Sequence, residues 1–158
     1  MAEQTLKQVK AEMPMQQMVT FRLSRLHAKL NAQAVRILKE TAGISLSQWR
    51  IMVMIETFGK ITPAEFVRRT GFDKGLISRT VKRMIKEGLL SSDLSKSDQR
   101  SHMIDITEKG TALFEKARPH MRHRQAHLLN SLTVSERKVL FTAFDKLELA
   151  MDDLEPLP

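Results

Sequence analysis

Between Phe72 and Gly88 the chain reads FDKGLISRTVKRMIKEG, and its basic residues are spaced for one kind of chemistry. At about 100° per residue, Arg79, Lys82 and Lys86 share a helical stripe with Gly75, and Ser78 and Arg83 flank it. A guanidinium at Arg79 can donate two hydrogen bonds to O6 and N7 of guanine, whereas Lys82, Arg83 and Lys86 suit phosphate oxygens. Ser78 can serve either purpose. Gly75 is expected to let the backbone approach a nucleic acid closely, which offsets a helix-propensity cost of about 1 kcal/mol relative to Ala. A solvated basic face is the ordinary reading of such a stripe, but charge is concentrated around it. Residues 68 to 100 hold nine lysines and arginines against four acids, so five of the chain's eight excess positive charges lie there.

The elements that must position this stripe are legible on both sides. Ile77, Val81, Met84 and Ile85 form the opposite face of the same helix and are expected to enter a core. Upstream, Thr62 as N-cap, Pro63 at the first helical position and Glu65 as capping-box partner predict a short helix to about Thr70. Gly71 ends it, Asp73 caps the next helix, and Gly88 is its expected C-cap. Two helices joined by a turn of about three residues that contains Gly make a helix-turn-helix. An apolar helix, SQWRIMVMIETFG, precedes this pair. LLSSD and SHMIDIT follow as strands, with Ile104 and Ile106 on one face, and the polar LSKSDQR between them reads as the loop of a wing.

Long helices flank this centre. Val19, Leu23, Leu26, Leu30 and Ile37 form one stripe of a helix from Pro14 to about Thr41, stopped by Gly43. A second helix starts at Glu108 with Thr107 as N-cap and should kink at Pro119. A third follows a Thr133/Glu136 capping box and carries Leu140, Phe144, Leu147, Met151 and Leu154 on one seam. The predicted fold class is mainly α with a small two- or three-stranded β wing. One unit is expected, with a winged helix-turn-helix over residues 45–107 and terminal helices over 14–42 and 108–154.

A chain of 158 residues with 42% hydrophobic residues can bury one core, and a formal charge of +8 favours polyanionic partners, nucleic acid or an anionic membrane surface. The absence of cysteine excludes disulfides, thiolate zinc sites and thiol redox switching within the chain. The N-terminus lacks an apolar core for a signal peptide, and no run of about eighteen apolar residues suggests a membrane span, so a cytoplasmic protein is expected. No glycine-rich phosphate loop after a strand, GxSxG or HExxH is found; no cofactor and no catalytic residue is expected.

The order of these motifs, FDKGLISRTVKRMIKEGLL, then SKSDQRS, then IDITEKG, resembles the MarR family of winged-helix transcriptional regulators over nearly the whole chain. The resemblance implies a wing in which Arg100 enters the minor groove and Asp98 orients it, with Lys96 beside them; a narrow minor groove concentrates the negative potential that attracts such an arginine. It also implies a homodimer interlocked through the N- and C-terminal helices. Its partner would be double-stranded DNA with a pseudo-palindromic operator whose half-sites lie about 10 bp apart. The family further implies a repressor released by a small aromatic-acid effector. Phe72 and Lys74 depart from the smaller polar residues that many members carry there, which bears on the operator sequence.

Weaker signals compete. His120, His123 and His127 have helical spacing that could bring two imidazoles to one metal, but no third ligand stands out and surface histidines are the default. Trp49 either fills the core at a helix junction or lines an effector cleft, where Arg50 or Arg22 could pair a carboxylate and His27 could hydrogen-bond. Two further function classes stay open: a basic module that docks on an acidic protein, and a nucleic-acid enzyme, which lacks an identifiable acid, base or metal constellation.

Overall fold

The computed structural model describes residues 14–94 and 102–152, so the expected contacts Lys96, Asp98 and Arg100 lie outside the described residues. A short 3-10 turn, Met15–Gln17, precedes α1 (Val19–Ala42), α2 (Leu46–Phe58), α3 (Pro63–Thr70) and α4 (Lys74–Lys86). Then come β1 (Leu90–Leu94), β2 (His102–Ile106), α5 (Glu108–Asn130) and α6 (Val134–Asp152). The strands pair antiparallel with Leu90 opposite Ile106 and Leu94 opposite His102, and Ile61 adds a bridge to Ile104. The chain forms two compact units divided between Ala117 and Arg118.

Local chemistry sets most boundaries. Ser45 and Gln48 close a reciprocal capping box at the start of α2, with bonds of 2.8 and 3.3 Å. The Thr62 hydroxyl accepts from the Glu65 amide at 3.0 Å, with Pro63 in the first turn. Glu65 does not complete the expected box; its carboxylate instead takes two bonds from Arg69, at 2.7 and 2.9 Å. The helix expected to begin at Pro14 is interrupted at Met18, whose extended backbone separates the 3-10 turn from α1.

In the first unit Leu38, Ile51, Met52, Phe66, Ile77 and Met84 bring α1 to α4 onto one core, closed on the strand side by Ile61 and Ile104. Each is almost completely removed from water, which stabilises the unit by roughly 1.5–3 kcal/mol per side chain. This packing fixes which face of α4 points outward.

In the second unit the box at the start of α6 forms as expected. The Glu136 carboxylate accepts from the Thr133 amide and hydroxyl at 2.7 and 2.8 Å, and the Thr133 hydroxyl accepts from the Glu136 amide at 3.3 Å. The Thr133 amide, followed by its hydroxyl, holds the Glu136 carboxyl below its usual value of 4.5. A depressed carboxyl stabilises the fold above its unfolded pKa, and the contribution is lost as pH falls through the folded pKa. We therefore expect the start of α6 to fray on acidification below 4.5. An NMR titration of Glu136 should give a midpoint below that value, and a midpoint at or above it would count against the box. Pro119 lies inside α5, which runs through it to Asn130. Among the described residues, no helix is long and apolar enough to cross a membrane.

Candidate nucleic-acid interface

The helix-turn-helix is α3 and α4, joined by Gly71, Phe72 and Asp73. Gly71 adopts φ 66°, a left-handed backbone that reverses the chain without the strain a Cβ would bring. Asp73 then caps α4, its Oδ1 accepting from the Leu76 amide at 2.6 Å. At the other end Gly88, at φ 71°, follows Glu87, the C-cap. Gly88, the expected cap, thus stands one residue later, in a Schellman arrangement. There the Leu89 amide donates to Met84 O at 2.8 Å and the Gly88 amide to Ile85 O at 3.0 Å.

Ile77, Thr80, Val81 and Met84 are the buried face of α4. Ile85, expected among them, is 37% exposed. The buried set follows steps of three, one and three residues, and Ile85 falls at its edge. Thr80 takes the remaining place because its hydroxyl donates to Leu76 O at 2.8 Å, so no polar atom is buried there without a partner.

Opposite this face Arg79, Lys82, Arg83 and Lys86 are exposed, while Ser78 and Gly75 are half-buried. Arg83 Nε lies 3.8 Å from Glu87, an exposed pair that leaves its charge largely available. The structure also gives Gly75 a role within its own helix. A Cβ built there would meet Nη1 of Arg79 at 3.1 Å and Oδ1 of Asp73 at 3.3 Å, so glycine leaves room for the guanidinium above the capped first turn. Gly75→Ala should leave the melting temperature unchanged or slightly raised, because the flexible Arg79 can yield and alanine favours the helix by up to about 1 kcal/mol. The same change should weaken DNA binding about tenfold, roughly 1.4 kcal/mol, if the backbone approaches DNA here. Unaltered affinity would remove the close-approach role.

Contacts invisible in local sequence hold the helix and the strands in place. Gln48 Nε2 donates to the Glu87 carboxylate at 3.0 Å, and Lys109 Nζ donates to the Glu87 carbonyl at 2.8 Å. Lys60 lies 3.3 Å from Asp93 on β1 and 3.5 Å from Asp105 on β2, and these two carboxylates raise its pKa. Thr107 caps α5 as expected, accepting from the Gly110 amide at 3.1 Å, and its hydroxyl donates to Gly88 O at 2.7 Å. The cap that starts α5 is thus also a tie to the end of α4.

At the start of α4, the Phe72 ring sits 6.0 Å from that of Phe66, with the Arg50 guanidinium 4.8 Å above it. Arg50 also donates to Asn31 Oδ1 at 3.0 Å, and the Asn31 amide reaches His27 Nε2 at 3.1 Å. Burial lowers the pKa of Arg50. Trp49 is half-buried and stacked on Phe114, with centroids 4.9 Å apart. Arg22 is exposed on α1. His120, His123 and His127 are exposed on α5, and among the described residues no group of three His, Cys, Asp or Glu side chains could hold a metal.

This geometry matches known proteins. A family model described as MarR family fits residues 42–101, the span from the end of α1 to the residue before β2. An uncharacterized HTH-type transcriptional regulator of Bacillus cereus is 27% identical over 131 residues, covering 82% of this chain and 86% of that protein. The crystal structure of a MarR/EmrR family transcriptional regulator from Acinetobacter sp. ADP1 superposes with a TM-score of 0.81 at 25% identity, over 90% of this chain and all of that one. The chain is similar to the MarR family of winged-helix transcriptional regulators. The fold is shared with the M. tuberculosis transcriptional regulator MosR, solved in complex with DNA. That structure matches at TM-score 0.70 and 23% identity, over 87% of this chain and all of that one.

Proposed function

We propose that the chain is a homodimeric repressor that reads double-stranded DNA with α4. One observation carries this reading: on the second helix of a helix-turn-helix, Ile77, Thr80, Val81 and Met84 are buried while Arg79, Lys82, Arg83 and Lys86 face solvent. A helix so oriented can enter the major groove, with Arg79 on base edges and the lysines on phosphates. Asp98 and Arg100, with Lys96, would add the wing's minor-groove contact. The DNA-bound relative of the same fold supports this docking.

Two subunits would be joined by the terminal helices. Val19, Leu23 and Leu26 of α1 and Leu147 and Met151 of α6 are exposed in the single chain, apolar rows that a partner would cover. Two-fold symmetry then requires a roughly palindromic operator. Release would follow when an aromatic acid draws the Arg50 guanidinium off the Phe72 ring, moves the turn that opens α4 and shifts the population away from the DNA-competent geometry.

Fluorescence anisotropy with the promoter beside the gene tests the binding. Affinity should depend on sequence and fall steeply with salt. Equal, weak binding to all duplexes would favour a basic module that docks on an acidic protein. Aromatic acids titrated without loss of affinity would remove the effector.

A further inference from the structure

Among the described residues of α3 and α4, two large apolar side chains stay exposed, Leu76 at 43% and Ile85 at 37%. Ile85 lies near the end of α4, at the margin of its buried face. Leu76 lies in the first turn, the part of a helix-turn-helix's second helix that contacts base edges. At about 100° per residue it stands about 60° round α4 from Arg79 and about 20° from Arg83, on the flank of the basic stripe. Its backbone is tied on both sides: the amide donates to Asp73 Oδ1 at 2.6 Å, and the carbonyl accepts from the Thr80 hydroxyl at 2.8 Å. A helical leucine has few rotamers, so this side chain holds a fixed place beside the cations.

A single exposed leucine is ordinary on a protein surface. Against DNA it is selective, because a base edge that loses water to an apolar side chain without a replacement hydrogen bond is penalised. In the major groove the 5-methyl group of thymine rewards such a contact, whereas cytosine and the purines present donors and acceptors. Leu76 would enter the groove together with Arg79 and Arg83. It precedes Arg79 by three residues, about 4.5 Å along the helix axis, and successive nucleotides of one strand are about 3.4 Å apart.

We propose that Leu76 is a specificity-determining residue that packs on the 5-methyl group of a thymine, one or two base pairs from the guanine that Arg79 contacts. The proposal rests on the reading of α4 as the DNA-binding helix and names a second base that it recognises. The leucine would reject cytosine at that position because cytosine lacks the methyl group.

Duplexes selected by the wild-type chain, with each thymine replaced in turn by deoxyuridine, test it by fluorescence anisotropy. Deoxyuridine keeps the base pairing and removes only the methyl group. At one thymine of each half-site the wild-type chain should lose about fourfold in affinity for each methyl removed, the effect of exposing one methyl-sized group. Leu76→Ala should bind the thymine duplex more weakly and the deoxyuridine duplex no more weakly than that. Leu76→Met keeps an apolar contact and should retain the preference for thymine. At the same position 5-methylcytosine should bind the wild-type chain about fourfold more tightly than cytosine, and Leu76→Ala should not distinguish the two. The melting temperature of Leu76→Ala should stay close to that of wild type, since the side chain is already exposed. A merely structural role would weaken every duplex alike and leave the methyl group without effect. If no thymine responds, or if wild type and Leu76→Ala respond equally at every thymine, the contact is overturned while sequence-specific binding by α4 stands. If the wild-type chain binds all duplexes equally, both fall.

Discussion

Arg79→Ala should cost about 1–3 kcal/mol on the cognate operator and flatten the preference at the base it reads, with little change on random duplex. Lys82→Ala should weaken both DNAs by similar factors and reduce the salt slope by about one. The contrast follows from chemistry and placement. A guanidinium offers a planar fork that discriminates guanine from other bases, whereas an ammonium is a point charge that any phosphate satisfies. Both residues leave α4 on its exposed side, so neither deletion opens the core. Paired binding curves on specific and random DNA decide the matter; equal losses on both DNAs for both variants would remove the assignment of Arg79.

Gly110→Ala should be the more damaging of two glycine substitutions in this fold. A Cβ at Gly110 would press into the carbonyl oxygen of Leu89 and lie 2.8 Å from Cγ1 of Ile106. That carbonyl cannot easily turn aside, since it accepts from the Thr107 amide at 3.1 Å. Overpacking of this kind costs about 1–3 kcal/mol, and each kcal/mol lowers the midpoint by roughly 2–4 °C in a chain of this size. Thermal unfolding beside Gly75→Ala supplies the control: there the crowding atoms include the movable end of Arg79. A Gly110→Ala chain as stable as wild type would show that the first turn of α5 does not sit this close to Leu89, the residue that leads into β1.

What could be read from sequence was local. Helix caps depend on residues two or three apart, and so Thr62, Asp73, Thr107 and the Thr133/Glu136 box are placed by sequence without reference to packing. The division of α4 into a buried and a basic face was legible for the same reason, failing only where Thr80 and Ile85 exchange places at its margin. Gly110 is different: its carbonyl neighbour comes from a separate element, and nothing in ITEKG announces it. The bonds from Gln48 to Glu87 and from Lys60 to Asp93 join residues 39 and 33 positions apart. These contacts hold α4 and the two strands to the body, and only the folded chain reveals them. The same holds for Phe72, a departure in sequence whose ring lies beneath Arg50 in the fold.

The central claim is that α4 reads DNA sequence as half of a symmetric pair. Selection of bound duplexes from a random pool tests it whatever the sequence of the operator. The account predicts enrichment of one inverted repeat with half-site centres about 10 bp apart, with the preference relaxed at one position of each half-site in the Arg79→Ala protein. A pool that stays random, or one enriched in a sequence with no internal symmetry, would contradict it.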